Sequence, residues 1–157
     1  MRLLDRSPTV LLLLVALLTA VAGPAAAAPV PSATASPEPS TEGLSRALAG
    51  LLERLASRRD DHLARWALAV DLTRDPDLHA FLTSRSPVRA QLLARSQALL
   101  EQLGVADPAG QAGGLVALVD GLLFDRLVGS SAAGAPPVDA VAVLQAYLIG
   151  LPRATSA

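Results

Sequence analysis

From residue 42 onward, apolar residues recur at intervals of three and four, which is the spacing of one face of an α-helix. Three dipeptides punctuate this pattern, each pairing a helix-capping residue with a proline suited to the first helical turn: Asp75-Pro76, Ser86-Pro87 and Asp107-Pro108. Gly104 is placed to end the helix that follows Ser86-Pro87, and a last helix is predicted from about Pro137 to Ile149. No run of alternating β-branched residues competes with these helices. The pattern predicts an all-α bundle of about six helices.

The segment Leu115–Gly129, LVALVDGLLFDRLVG, is apolar on two sides of its predicted helix. One stripe is suited to the chain's own core and consists of Leu115, Leu118, Val119 and Leu122. The other has the alternating three- and four-residue spacing of helices packed at a shallow angle, and consists of Gly114, Ala117, Gly121, Phe124 and Val128. The charges of Asp120, Asp125 and Arg126 argue against a membrane span, because charged groups are costly at bilayer depth.

The last predicted helix is also apolar on two sides. One face consists of Val141, Leu144, Leu148 and Leu151, and the other of Val138, Ala142 and Ile149. Two such helices carry more apolar surface than one small domain covers, so we expect them to pair with the same helices of a second subunit as a four-helix interface. The predicted contact residues are Gly114, Ala117, Gly121, Phe124, Val128, Leu144 and Leu148. The alternative is that both are central helices of a monomer.

The first third of the chain is built differently. Residues 1–27 resemble a secretory signal peptide, with two Arg near the start, an apolar run over Val10–Gly23 and small residues at Ala25–Ala27. Residues 28–41, APVPSATASPEPST, have the composition of a linker rich in Pro, Ala and Ser. We expect a helical domain over residues 42–153 and a short tail over 154–157. The alternatives for the first segment are a buried core helix and a fortuitous translation of non-coding, Ala-rich DNA.

Composition narrows the classes of function. The chain of 157 residues has no Cys and a net charge of −1, which excludes thiolate chemistry and leaves no large basic field to attract a phosphate backbone. His62 and His79 have no partners at the spacing of metal ligands, and Ser96 lacks the glycine elbow of a hydrolase nucleophile. We therefore expect no enzymatic activity, no metal and no cofactor.

Four stretches of the chain resemble the C-terminal domain of TetR-type transcriptional repressors. They are HLARWALAVDLTRDPDLHAFL (His62–Leu82), LLARSQALLEQLGVADP (Leu92–Pro108), LVALVDGLLFDRLVG and AYLIGL (Ala146–Leu151). The most specific parts are the Arg-Asp-Pro-Asp-Leu turn and the Asp-Gly-Leu within the penultimate long helix. The resemblance covers roughly Glu42 to Leu151.

The resemblance implies a function as well as a fold. In that family the C-terminal domain binds a small effector inside the helical bundle and forms a homodimer through its last two large helices. An apolar effector pocket here would have its wall built from Trp66, Val70, Phe81 and Leu118, whereas the alternative is that they are ordinary core residues. The family's N-terminal helix-turn-helix has no counterpart before Glu42, so we expect no direct nucleic-acid binding by this chain.

Three accounts of that difference stay open. The domain belongs to an exported protein that is cleaved near Ala27, or to an intracellular relative that regulates by forming mixed dimers. In the third account the true start lies upstream and a frame error replaces the DNA-binding part. If the N-terminus is genuine, we expect the protein to be exported. If the start or the reading frame is mis-assigned, we expect the protein to be cytoplasmic. The competing class of function is a small exported helical protein with a structural or interaction role.

Overall fold

The computed structural model describes residues 40–154, and six α-helices make up most of them. They are α1 (Thr41–Ala56), α2 (Arg59–Asp71), α3 (Pro76–Leu82), α4 (Pro87–Gln102), α5 (Pro108–Leu127) and α6 (Ala140–Gly150), with a 3-10 turn at Leu72–Arg74 between α2 and α3. This confirms the predicted all-α bundle. The predicted signal segment 1–27, residues 28–39 of the predicted linker and residues 155–157 lie outside the described residues.

Side-chain caps fix where the helices begin, as their dipeptides predict. Each of the three cap residues accepts a hydrogen bond from the backbone N–H three residues on, at 3.2 Å for Asp75, 3.5 Å for Ser86 and 2.9 Å for Asp107. Gly104 follows α4 with a φ of 69°, a left-handed conformation that favours glycine. The start of α6 differs from the prediction near Pro137, because Asp139 caps the helix through the Ala142 N–H at 3.1 Å.

The core lies where α1 and α4 pack on α5 and α6 packs on α1. Its fully buried leucines come from four helices: Leu52, Leu100, Leu115, Leu123, Leu144 and Leu148. The segment after α6 lies against this core. The Arg153 guanidinium there donates hydrogen bonds to the carbonyls of Leu103 and Leu148, both at 3.0 Å. A single bridge between Val105 and Arg153 adds backbone pairing at the same place.

The core-facing stripe of α5 differs from the predicted one. The buried residues are Ala112, Leu115, Val116, Leu123 and Leu127, whereas Leu118, Val119 and Leu122 are only partly buried. At about 100° per residue, the centre of the buried stripe is rotated by roughly a quarter turn from the prediction. Because adjacent stripes of α5 are all apolar, the sequence pattern is compatible with burial of either stripe. The packing of α1 and α4 against α5 determines which stripe is buried.

Candidate functional site

An apolar stripe on α5 faces away from the core. It consists of five of the seven residues predicted for a subunit contact, and every one is exposed: Gly114, Ala117, Gly121, Phe124 and Val128. Phe124 and Val128 each expose 47% of their surface, which is high for large apolar side chains. These five residues are called the α5 stripe below. Within the described domain, this side of a long apolar helix is left uncovered.

The exposed side of α6 carries a second set of apolar residues. Ala142 and Ile149 lie on it, with Ile149 61% exposed, and Val138 is exposed just before the helix begins. Leu144 and Leu148 are fully buried in the protomer instead. Both side chains lack accessible surface in the protomer, so the dimer contact proposed below does not include them.

A shallow hollow of about 320 Å³ lies between α2 and the end of α5. Its lining is apolar apart from one carboxylate, and consists of Leu63, Trp66, Ala67, Val70, Asp71, Phe124 and Val128. The indole of Trp66 meets the ring of Phe124 edge-on, with ring centroids 5.2 Å apart. This feature is called the α2 hollow below. It shares Phe124 and Val128 with the α5 stripe.

Only part of the predicted effector wall comes together. Trp66 and Val70 both line the α2 hollow, while Phe81 and Leu118 do not. Phe81 is exposed on α3, and Leu118 packs at the edge of the core. The prediction placed Trp66 on an inward-facing stripe, but that stripe borders the open hollow, since α2 buries only His62. The contribution of Phe124 and Val128 to the hollow was missed, because both were assigned to the subunit contact.

A comparison with protein-family models matches residues 39–151 to the family described as Tetracyclin repressor-like, C-terminal domain. The chain belongs to this family. The match confirms the resemblance drawn from the sequence and gives this TetR-like domain its ancestry among transcriptional regulators. Searches of curated proteins and of solved structures gave no significant match.

A buried histidine lies next to Trp66 in the TetR-like domain. His62 is 8% exposed, its ring centroid is 5.9 Å from that of Trp66, and its Nδ1 has no hydrogen-bond partner in the described domain. Burial lowers the pKa of His62 from 6.5, and the charges of Arg65 and Arg58 lower this pKa further. The nearby carboxylates of Asp61 and Asp120 oppose these effects. The neutral form of His62 therefore predominates at pH 7.

Charged groups flank the α5 stripe. Asp120 pairs with Arg65 of α2 at 3.9 Å, and Arg126 pairs with Glu53 of α1. Asp125 accepts hydrogen bonds from the Ser130 backbone N–H at 3.1 Å and from the Ser130 and Ser131 hydroxyls. These bonds hold the pKa of Asp125 below its usual value. These ion pairs and hydrogen bonds therefore link α5 to α1, to α2 and to the loop that follows. None of the charged residues belongs to the α5 stripe.

Gly114 has a role within the protomer. A Cβ added to it would lie 2.5 Å from the Tyr147 hydroxyl, which donates a hydrogen bond to the Gln111 carbonyl at 3.3 Å. The absence of a side chain at Gly114 therefore lets Tyr147 of α6 lie against α5. A Cβ added to Gly121 would meet no heavy atom within 4 Å. Of the two glycines in the α5 stripe, only Gly121 therefore lacks a contact within the protomer that requires the absence of a side chain.

Two other features are absent between Ser40 and Ala154. No three His, Asp or Glu side chains there are grouped so that they could hold a metal ion. None of the helices in this range combines the length and apolar character needed to cross a bilayer. The α5 stripe and the α2 hollow are therefore the features of the described domain on which a functional argument rests.

Proposed function

We propose that this TetR-like domain acts as a homodimerising module that binds a small effector. The observation that carries the proposal is the α5 stripe, five neighbouring positions that are all small or apolar and all exposed. Contiguous apolar surface of this kind marks a contact site in soluble proteins. The family match supports the proposal, since TetR-like C-terminal domains commonly dimerise.

The α5 stripe has the shape that close helix packing requires. Ala117 and Gly121 carry little or no side chain, so a second helix backbone fits closely against them. Phe124 and Val128 supply bulk at the other end, and Ile149 is a further exposed apolar residue, on α6. A two-fold arrangement of α5 and α6 against the same helices of a second copy covers all of these residues.

Oligomeric state in the variant Ala117→Glu tests the proposed interface. Ala117 is exposed, so the charge leaves the protomer's fold intact but is buried without a partner in the dimer. Ala98→Glu is the matched control, because Ala98 is exposed on α4 outside the proposed interface. Light scattering behind size exclusion should give monomer for Ala117→Glu and dimer for Ala98→Glu. Equal masses for the two variants would contradict the interface.

Effector binding is the second part of the proposal, and we assign it to the α2 hollow with Trp66 and Val70 in its wall. An effector that prefers one arrangement of α2 and α5 shifts the protein toward that arrangement, and through Phe124 toward one state of the dimer. Trp66→Ala should abolish binding beyond its cost in stability. A stable Trp66→Ala variant that binds an effector unchanged would refute the assignment. This function needs no catalytic group, and we propose none.

For the whole chain we propose a signal segment over residues 1–27, a linker over 28–41 and the helical domain over 42–153. The intact mass and N-terminal peptide of the native protein, taken from cytoplasmic and extracellular fractions, test this organisation. A start near Ala28 in the extracellular fraction supports export and processing. A cytoplasmic species longer than 157 residues would instead contradict processing and support an upstream DNA-binding segment.

A further inference from the structure

We propose that the α2 hollow binds a lipophilic cation, and that a second subunit completes the site. The cation preference stands on the chemistry of the hollow alone, whereas completion rests on the proposed dimer. The ligand class is an apolar, preferably aromatic, body that carries one positive charge.

Asp71 gives the hollow its charge preference. It is the only charged residue in a lining that is otherwise aliphatic and aromatic, so the hollow combines apolar surface with a single carboxylate. A neutral apolar ligand gains nothing from that carboxylate, an anion is repelled by it, and a cation pairs with it. The face of Trp66 adds an attraction for a positive charge.

The carboxylate of Asp71 is exposed and has no partner within the described residues. It is the last residue of α2, its side chain makes no capping hydrogen bond to the 3-10 turn that follows, and no cation within the described residues lies within 4.0 Å of it. The guanidinium of Arg65 lies 5.9 Å from the Trp66 ring but is turned toward Asp120, at 3.9 Å, and does not line the hollow. The carboxylate of Asp71 is thus available to a ligand.

The hollow is open on the protomer, and its open side borders the α5 stripe. Phe124 and Val128 belong to both surfaces. A second copy packed on the stripe therefore lies beside the hollow, adds apolar surface to its wall and excludes water from it. Excluding water strengthens the pairing of a bound cation with Asp71, so ligand binding and dimerisation favour each other.

Trp66 is the only tryptophan of the chain, so its fluorescence reports on the hollow directly. We would titrate the full chain with tetraphenylphosphonium and, separately, with tetraphenylborate, ions of nearly the same shape and opposite charge. Tetraphenylphosphonium should saturate the emission change at a concentration about tenfold lower than tetraphenylborate. Equal affinity for the two ions would overturn the proposal.

Asp71→Asn should reduce this preference to less than about threefold, since the carboxylate supplies most of it. Asp60→Asn is the matched control on the same helix, because Asp60 is exposed and does not line the hollow. It should leave the preference unchanged. A preference that survives Asp71→Asn intact would also overturn the proposal.

The same titration in Ala117→Glu tests completion by the second subunit. Weaker binding of tetraphenylphosphonium than in Ala98→Glu supports completion, and equal binding contradicts it. A wild-type chain that stays monomeric yet binds the cation through Asp71 refutes the dimer and completion but upholds the cation site. A dimeric chain with no charge preference refutes the cation site and leaves the dimer proposal intact.

Discussion

A substitution at Gly121 should distinguish the folding of one protomer from its association into a dimer. A Cβ at this position meets no heavy atom within 4 Å, so the fold of one chain has room for alanine. Gly121 also lies inside α5, where glycine is less favourable than alanine by about 0.5–1 kcal/mol. Gly121→Ala should therefore stabilise the monomer by that amount.

In the dimer the same methyl group should be harmful. A two-fold interface places it at the contact twice, once from each subunit. Overpacking a close helix contact costs about 1 kcal/mol or more per methyl group, so two copies raise the dissociation constant about 30-fold. One substitution thus has opposite effects on folding and on association.

The two effects are measured separately. Urea unfolding below the dissociation constant, where the protein is monomeric, gives the free energy of unfolding, and sedimentation equilibrium gives the dissociation constant. Gly50→Ala is the matched control, because Gly50 lies inside α1, away from the proposed interface, and its Cβ would make ordinary contact with Arg54 at 3.7 Å. If Gly121→Ala and Gly50→Ala had equal dissociation constants, the close approach at Gly121 would be refuted.

Three further predictions concern the protomer. Leu144→Ala should lower the free energy of unfolding by about 2–5 kcal/mol, measured by urea denaturation, because the side chain is fully buried; a loss below about 1 kcal/mol would contradict its place in the core. His62 has a pKa below 6.5 in the folded state, so its contribution to stability is complete above pH 6.5 and is lost as the pH falls toward the folded pKa. The decrease in the free energy of unfolding between pH 7.5 and pH 5.5 should therefore be smaller in His62→Phe than in the wild-type protein. An equal decrease in the two proteins would show that other groups cause it. Glu53→Gln should cost less than about 1 kcal/mol, since Glu53 is mostly exposed where it meets Arg126, and a larger loss in a double-mutant cycle would show a stronger pair.

Helix boundaries could be predicted from the sequence because their causes are local. A cap such as Asp107 bonds to a backbone N–H three residues away, and the proline after it suits the first turn, so the signal and its partner lie in the same short segment. The effect of Gly104 is local in the same sense, because this glycine ends α4 through its own backbone conformation. Together with the helical spacing of the apolar residues, these signals sufficed to predict about six helices and the all-α class.

The orientation of each helix could not be predicted in the same way. On α5 nearly every stripe is apolar, and on α6 two faces are, so the choice of buried side depends on neighbours far away in sequence. For this reason Leu144 and Leu148 were assigned to a contact but lie in the core, while Ala142 and Ile149 are exposed. Phe81 lies outside the hollow for a similar reason, since α3 buries none of its residues.

The α2 hollow shows the same distinction for a site. Its α2 residues, such as Trp66 and Val70, recur at helical spacing and were found from the sequence. Phe124 and Val128 come from α5, more than fifty residues later, and only the packing of the two helices brings them to the hollow. No local sequence pattern shows whether a residue such as Phe124 belongs to the α5 stripe alone or also to the α2 hollow.

Sedimentation equilibrium of the full chain across the micromolar range tests the central claim most directly. The protein should form a species of twice the mass of one 157-residue chain, and one chain has a mass of 16.1 kDa. This species should dissociate reversibly on dilution. A monomer alone at every micromolar concentration would contradict the account, because the α5 stripe would then be a surface that no second copy covers.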